Sequence, residues 1–222
     1  MTRLTALLLD LDGTLLDTAP EMAEALNVLR REERLPPLPF EQIRPTVSHG
    51  SVGMVGLAFA GAAPAEFERL RLRFLDIYRT MLGSNTRLFA GFDHVLDHVH
   101  RHGLAWGVVT NKPGWLTDPL MQMLGIEATN GCIVSGDTVA QRKPHPLPLL
   151  HAAGLIAKAP AQCLYVGDAK RDIAAGRAAG MKTVVAGWGY LGDSDDPASW
   201  CADGIAAEPA ALLPWLHPGA AS

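Results

Sequence analysis

Leu7-Leu8-Leu9-Asp10-Leu11-Asp12-Gly13-Thr14 is the stretch that decides how this chain folds. From Leu4 to Leu11 the chain is rich in Leu and Ala, too short for a helix of its own, and it stops abruptly at Asp12-Gly13-Thr14. An apolar run of that length ending in polar residues predicts a central parallel strand feeding a loop. The pattern recurs at Trp106 to Thr110, Gly131 to Ser135, Cys163 to Val166 and Thr183 to Ala186, with helical stretches between. The expected fold class is therefore α/β, a doubly wound parallel sheet with a Rossmann-like core.

Residues 17–88 read differently, with helical periodicity and no convincing strand. Thr18-Ala19-Pro20-Glu21 has the form of a capping box with Pro in the first turn, and Met22, Ala25, Leu26 and Leu29 then share one face. Pro36, Pro37 and Pro39 close that helix, and further helices are expected over Ser51 to Phe59 and Ala65 to Leu82. This predicts a Rossmann-like core of residues 1–16 and 89–222 interrupted by a helical cap of residues 17–88. The terminal Pro218-Gly219-Ala220-Ala221-Ser222 should fray.

With 222 residues the chain can bury a substantial interior, and 48% hydrophobic with 19% charged residues is ordinary globular composition. A net charge of −4 without a basic, aromatic-laced patch argues against a nucleic-acid partner. Asp10 and Asp12 interrupt the opening apolar run too early for a signal peptide. No run approaches the ~20 residues that span a bilayer, so a cytoplasmic protein without a membrane partner is expected. Cys132, Cys163 and Cys201 lack paired metal-site spacing and read as buried free thiols. Oligomeric state cannot be read from the sequence.

In open parallel sheets ligands bind beyond the carboxyl ends of the strands. Here those ends carry Asp10 and Asp12, then Thr110-Asn111-Lys112, then Gly167-Asp168 with Asp172 four residues on. One Asp after a strand is usually a turn or cap residue, but four converging on one point repel each other unless a cation neutralises them. All-oxygen ligands suit Mg²⁺, which shares its coordination between carboxylates and substrate phosphate, so a small phosphorylated metabolite is the expected partner.

Asp10-Leu11-Asp12-Gly13-Thr14, Thr110, Lys143-Pro144 and Gly167-Asp168-Ala169-Lys170-Arg171-Asp172 resemble, in order, the four motifs of the haloacid-dehalogenase superfamily. The resemblance implies that Asp10 forms an aspartyl-phosphate while Asp12 acts as general acid and then base. It also implies that the Asp10 side chain, the Asp12 main-chain carbonyl and Asp168 hold Mg²⁺ with Asp172 close by. Thr110 and Lys143 would contact the transferring phosphoryl oxygens, and Asn111 the substrate. The second Asp separates phosphatases from dehalogenases, whose halide leaves without protonation. Asp17-Thr18-Ala19-Pro20-Glu21, Trp106 to Pro113 and Pro197-Ala198-Ser199-Trp200 look like phosphoglycolate phosphatases and their relatives, including N-acetylmuramic acid 6-phosphate phosphatases. Hydrolysis of 2-phosphoglycolate is the leading expectation. The alternatives are the second substrate, a sugar-phosphate mutase, disfavoured because Met22 stands where that branch carries His, or a non-catalytic binding module.

Within the cap, Arg44 and Ser48-His49-Gly50-Ser51 lie between helices, where a loop could reach substrate; Arg44 is a candidate for a bidentate pair with a substrate carboxylate. Gly187-Trp188-Gly189-Tyr190-Leu191-Gly192 matches GxGxxG, but Asp193 to Pro197 cannot readily open the helix that would bind a pyrophosphate, so a plain glycine-rich loop is expected. His94, His98 and His102 recur every four residues beside Asp93, Asp97 and Arg101, and predict a solvated helix face rather than a metal site.

Overall fold

A computed structural model describes residues 3–126 and 131–216. Its strands are β1 Ala6–Leu9, β2 Leu16–Asp17, β3 Arg87–Leu88, β4 Ala105–Val109, β5 Gly131–Val134, β6 Cys163–Gly167, β7 Lys182–Ala186 and β8 Gly204–Ala206. Six form one parallel sheet in the order β5-β4-β1-β6-β7-β8. Every residue of β1 is fully buried, as the continuous apolar run requires of a strand covered on both faces. Its pleat divides the interior in two: Leu7 and Leu9 join the core on one side of the sheet, Ala6 and Leu8 the core on the other.

The chain winds outward from β1 to β4 and β5, then returns to β6 and winds the other way. The point where the order reverses lies between β1 and β6, and the crevice there is where ligands bind in doubly wound sheets. Register places the functional residues at one level. Leu9 lies opposite Val108 and Val166, so Asp10, Thr110 and Asp168 all emerge just past the strand ends.

The helices are α1 Ala19–Glu32, α2 Phe40–Ile43, α3 Gly50–Ala58, α4 Pro64–Met81, α5 Phe92–Arg101, α6 Gly114–Met123, α7 Leu147–Leu155, α8 Lys170–Ala178 and α9 Leu213–Leu216, with a 3₁₀ turn over Arg44–His49. Helices α1 to α4 fill the stretch between β2 and β3. In α1 the periodic Met22, Ala25, Leu26 and Leu29 are buried, and in α4 Leu70, Phe74, Ile77 and Tyr78 form the facing stripe. No helix among the described residues is long and apolar enough to cross a membrane.

Several expectations are corrected. The stretch read as lacking strands has a two-residue strand at each margin, with Leu16 paired antiparallel to Leu88 and Asp17 to Arg87, too short to leave a periodic signal. β8 and the short α2 were also not anticipated. Cys132 and Cys163 are buried thiols, but Cys201 is exposed. His94 and His102 face solvent, whereas His98 is buried and stacks on His102 with ring centroids 4.0 Å apart. The terminal residues expected to fray lie outside the described residues.

The capping box at Thr18 does not form either. Thr18 makes no side-chain cap bond; its hydroxyl donates to Asp12 Oδ1 at 2.7 Å. The Glu21 carboxylate, 1% exposed, instead accepts the Gly83 and Asn85 N–H groups at 3.0 Å each and the Thr86 hydroxyl at 3.2 Å. Both residues are therefore spent on joining chain segments, Thr18 to the strand-end loop and Glu21 to the return crossing. Glu21→Ala should lower unfolding stability by about 1–3 kcal/mol, because the buried Thr86 hydroxyl and two backbone N–H groups lose their acceptor. The measurement is the urea midpoint at constant slope, and an unmoved midpoint would mean those bonds contribute nothing.

Candidate active site

The ends of β1 and β6 bring Asp10, Asp168 and Asp172 together, with one carboxylate oxygen of each within 4.8 Å of the others. All three are buried. Asp10 follows β1 directly and Asp168 follows β6. Asp172 sits in the first turn of α8, where its Oδ2 accepts the Ala169 N–H at 3.0 Å and favours the positive helix end. Among the described residues this is the one cluster of three or more acidic, His or Cys groups.

Lys143 holds two of them. Its ammonium, inaccessible to solvent, lies 2.8 Å from Asp10 Oδ1 and 2.7 Å from Asp172 Oδ1, and also donates to the Val109 carbonyl and the Tyr165 hydroxyl at 2.8 Å each. Asn111 fixes the lysine's backbone through a reciprocal pair: Asn111 Nδ2 donates to the Lys143 carbonyl, and the Lys143 N–H donates to Asn111 Oδ1, both at 3.0 Å. The amide assigned to substrate from sequence thus locks the lysine loop to the end of β4.

One ammonium cannot balance three carboxylates. Burial raises the Asp10 pKa against the pull of Lys143, and burial followed by the charges of Asp10 and Asp172 pushes Asp168 up to about 7. Asp172 is held below the ordinary range, since Lys143 and Arg171 outweigh its burial. Asp168 Oδ1 is buried with no hydrogen-bond partner among the described residues. A strained all-oxygen set with an unused buried acceptor fits a hard divalent cation.

The Asp12 carboxylate stands apart from this trio, partly exposed. It accepts Thr18 Oγ1 at 2.7 Å and pairs with Lys112 Nζ at 3.0 Å. Lys112 in turn donates to the Tyr78 hydroxyl on α4 at 2.8 Å and lies 4.6 Å from the centre of that ring. Burial opposes the lysine's charge, yet Asp12 and Tyr78 outweigh it and its pKa rises. Neither Lys112 nor Tyr78 was singled out from sequence. Lys112 lies inside the quoted Thr110-Asn111-Lys112 stretch, and Tyr78 inside the helix expected over Ala65 to Leu82.

The glycine-rich loop after β7 packs against Asp168 rather than on a dinucleotide. A Cβ on Gly189 would stand 2.2 Å from Asp168 Cβ, and one on Gly13, whose φ is +81°, 2.1 Å from Asp168 Oδ2. Only glycine permits this approach. Tyr190 N–H donates to Asp168 Oδ2 at 2.9 Å, and its hydroxyl receives the Thr18 and Ala19 N–H groups at 2.7 and 2.9 Å, tying the site to the start of α1.

A cavity of about 800 Å³ opens over the strand ends, reached by Asp10, Asp12, Thr110, Asn111 and Lys112 from below and by Ser48, His49, Gly50 and Ser51 from the helical insert. All four of those insert residues border the cavity. Arg44 does not: it is absent from the cavity wall, its guanidinium lies 5.1 Å from the Tyr190 ring centre, and it donates to the Trp188 carbonyl at 3.1 Å. The cation expected to grip substrate instead fastens the insert to the glycine-rich loop.

The chain is similar to known proteins over nearly its whole length. A phosphoglycolate phosphatase of Xanthomonas campestris pv. campestris (strain 8004) is 47% identical over 216 residues, covering 96% of this chain and 98% of the relative. An N-acetylmuramic acid 6-phosphate phosphatase of Pseudomonas aeruginosa is 41% identical over 212 residues, covering 95% of this chain and 94% of the relative. The crystal structure of a predicted phosphoglycolate phosphatase from Haemophilus somnus 129PT superposes with a TM-score of 0.84 at 27% identity, covering 96% of this chain and 98% of that one. The haloacid dehalogenase-like hydrolase profile matches residues 7–186, and with these relatives it establishes that the chain belongs to that family.

Proposed function

We propose that this chain is a Mg²⁺-dependent phosphatase that hydrolyses a small phosphate monoester through an aspartyl-phosphate on Asp10. The observation that carries the reading is the buried trio of Asp10, Asp168 and Asp172, two of them bridged by Lys143, with Asp12 held separately at the cavity floor. Two carboxylates in different surroundings divide the labour of acid–base and nucleophilic chemistry.

In the first half-reaction an Asp10 oxygen attacks phosphorus, the ester P–O bond breaks, and Asp12 delivers its proton to the departing alkoxide. In the second, Asp12 removes a proton from water, the water oxygen attacks phosphorus, and the acyl-phosphate bond breaks to restore Asp10. Thr110 and Lys143 offer donors to the phosphoryl oxygens, where charge spreads in the transition state. Mg²⁺ held by Asp10, Asp168 and the Asp12 carbonyl, with Asp172 beside it, would neutralise phosphate charge and orient the ester. The Lys112–Asp12–Thr18 contacts keep the acid–base group aimed at the cavity and away from the cation ligands.

The leading substrate is 2-phosphoglycolate, on the strength of the 47% identical relative that bears that activity in its name. A second reading, N-acetylmuramic acid 6-phosphate, has its own support. A cavity of about 800 Å³ is far larger than a two-carbon acid requires, and its rim carries the exposed side chains of Trp115, Leu72 and Val52, suited to the face of a sugar ring. Met22 lines the same cavity and offers no group for the proton transfer a mutase would need there.

Asp10→Asn should retain the wild-type fold by circular dichroism and lose roughly 10³-fold or more of its p-nitrophenyl phosphate turnover. Chelation should abolish wild-type turnover, and added Mg²⁺ should restore it. Near-normal activity in the variant, or indifference to chelation, would remove the mechanism.

Parallel kinetics on 2-phosphoglycolate, N-acetylmuramic acid 6-phosphate and p-nitrophenyl phosphate decide the substrate. Trp115→Ala should spare 2-phosphoglycolate and, if the sugar phosphate is the natural substrate, lower its kcat/KM by about tenfold, the effect of one lost ring contact of ~1.4 kcal/mol. Arg44→Ala should alter all three by a common factor. A selective loss on the carboxylate-bearing substrates would return Arg44 to the site.

A further inference from the structure

The two oxygens of Asp168 have separate environments. Oδ2 receives the Ser48 hydroxyl at 2.6 Å and the Tyr190 N–H at 2.9 Å, while Oδ1 has no partner among the described residues and is buried. Two donors converging on one oxygen restrain the carboxylate from rotating and leave the other oxygen as an unused buried acceptor. Asp168 follows β6 of the parallel sheet, but Ser48 belongs to the 3₁₀ turn of the helical insert, 120 residues away in sequence.

From this geometry we infer that Ser48 is a positioning residue for the cation ligand Asp168, so that cation affinity depends on closure of the helical insert over the sheet. The inference rests on the cation site of the proposed phosphatase and adds to it a device for regulating that site. Tyr190 strengthens the dependence. Its N–H holds the same Oδ2, its hydroxyl holds the start of α1, and Arg44 of the insert covers its ring. Both donors that orient Asp168 are thus placed by contacts with the insert.

The sequence suggested instead that Ser48 binds substrate. A hydroxyl has one proton, and this one is given to Asp168, so Ser48 has only acceptor capacity left for a phosphate that itself needs donors. Residues that hydrogen-bond a metal ligand change metal affinity by roughly 10–100-fold when removed. Because linkage is reciprocal, a closure that strengthens cation binding is itself favoured by the cation.

The test is Mn²⁺ affinity, by electron paramagnetic resonance titration of the full chain in wild type, Ser48→Ala, Ser48→Thr and Asp168→Asn, with thermal melts confirming that each is folded. Ser48→Ala should weaken Mn²⁺ binding by roughly 10–100-fold. Ser48→Thr, which keeps the hydroxyl, should recover most of that loss. Hydrogen exchange gives the reciprocal readout: Mn²⁺ should slow exchange of the 44–58 amides in wild type and have a much smaller effect in Ser48→Ala. If Ser48→Ala binds Mn²⁺ as tightly as wild type, Ser48 does not position the ligand. If it binds more tightly, the serine competes with the cation, and the inference is overturned with the opposite sign. Either result, with Asp168→Asn still binding weakly, leaves the phosphatase reading intact. Wild type that binds no Mn²⁺, or Asp168→Asn that binds it normally, overturns the cation site and this inference together.

Discussion

Lys143 is the contact on which the rest of the site depends. Burying three carboxylates at the end of a closed parallel sheet is costly, and a single buried ammonium shared by Asp10 and Asp172 is what allows the polypeptide to close around them. Much of the surrounding architecture serves that ammonium. The Asn111 amide clamps its backbone, the Tyr165 hydroxyl and Val109 carbonyl accept hydrogen bonds from its ammonium, and β4 and β6 carry those groups on either side of β1. The arrangement still lacks positive charge, and the Asp168 pKa is raised first by burial and then by the charges of Asp10 and Asp172. That deficit is the electrostatic form of an affinity for a cation and an anionic ester.

The helical insert is part of the chemistry as well as a cover. Thr18 and Tyr78 reach Asp12 directly or through Lys112, Ser48 reaches Asp168, and Arg44 fastens onto the loop that carries Tyr190. These contacts join two layers across a single two-residue strand pair. From the insert side, Thr18 and Ser48 complete the orientation of Asp12 and Asp168.

The parallel sheet and the core motifs were legible in the sequence because each strand is a short apolar run and each motif follows a strand end. Burial and chemistry left separate, non-competing signals there. Thr18 and Glu21 were misread because a helix N-cap and a long-range anchor call for the same residue types, and local pattern has no access to Gly83 or Asn85, more than sixty residues downstream. Arg44 was misplaced for a related reason. A cation in a loop satisfies equally well a substrate carboxylate, an aromatic ring or a backbone carbonyl, and the tertiary position of Tyr190 decides among them. Lys112 was hidden by its neighbours, since a residue beside a motif takes its role from a partner, here Tyr78, supplied by another part of the chain.

Relatives named for two different substrates match this chain at 47% and 41% identity, each over nearly its whole length. The phosphoryl-transfer residues serve any phosphate monoester, because they touch only the group common to all of them. What differs between a two-carbon acid and an amino-sugar acid lies several bonds from phosphorus, against walls built by the insert and by the start of α6. In this chain those walls present Trp115, Leu72 and Val52 to solvent, beside a polar floor of Asp12 and Lys112. Exposed apolar side chains at the mouth of a catalytic cavity lose nothing by covering an apolar ring face and gain by shedding water. Because Trp115, Leu72 and Val52 are exposed, a substitution at any of them removes little buried area from the fold and leaves the carboxylates beneath in place.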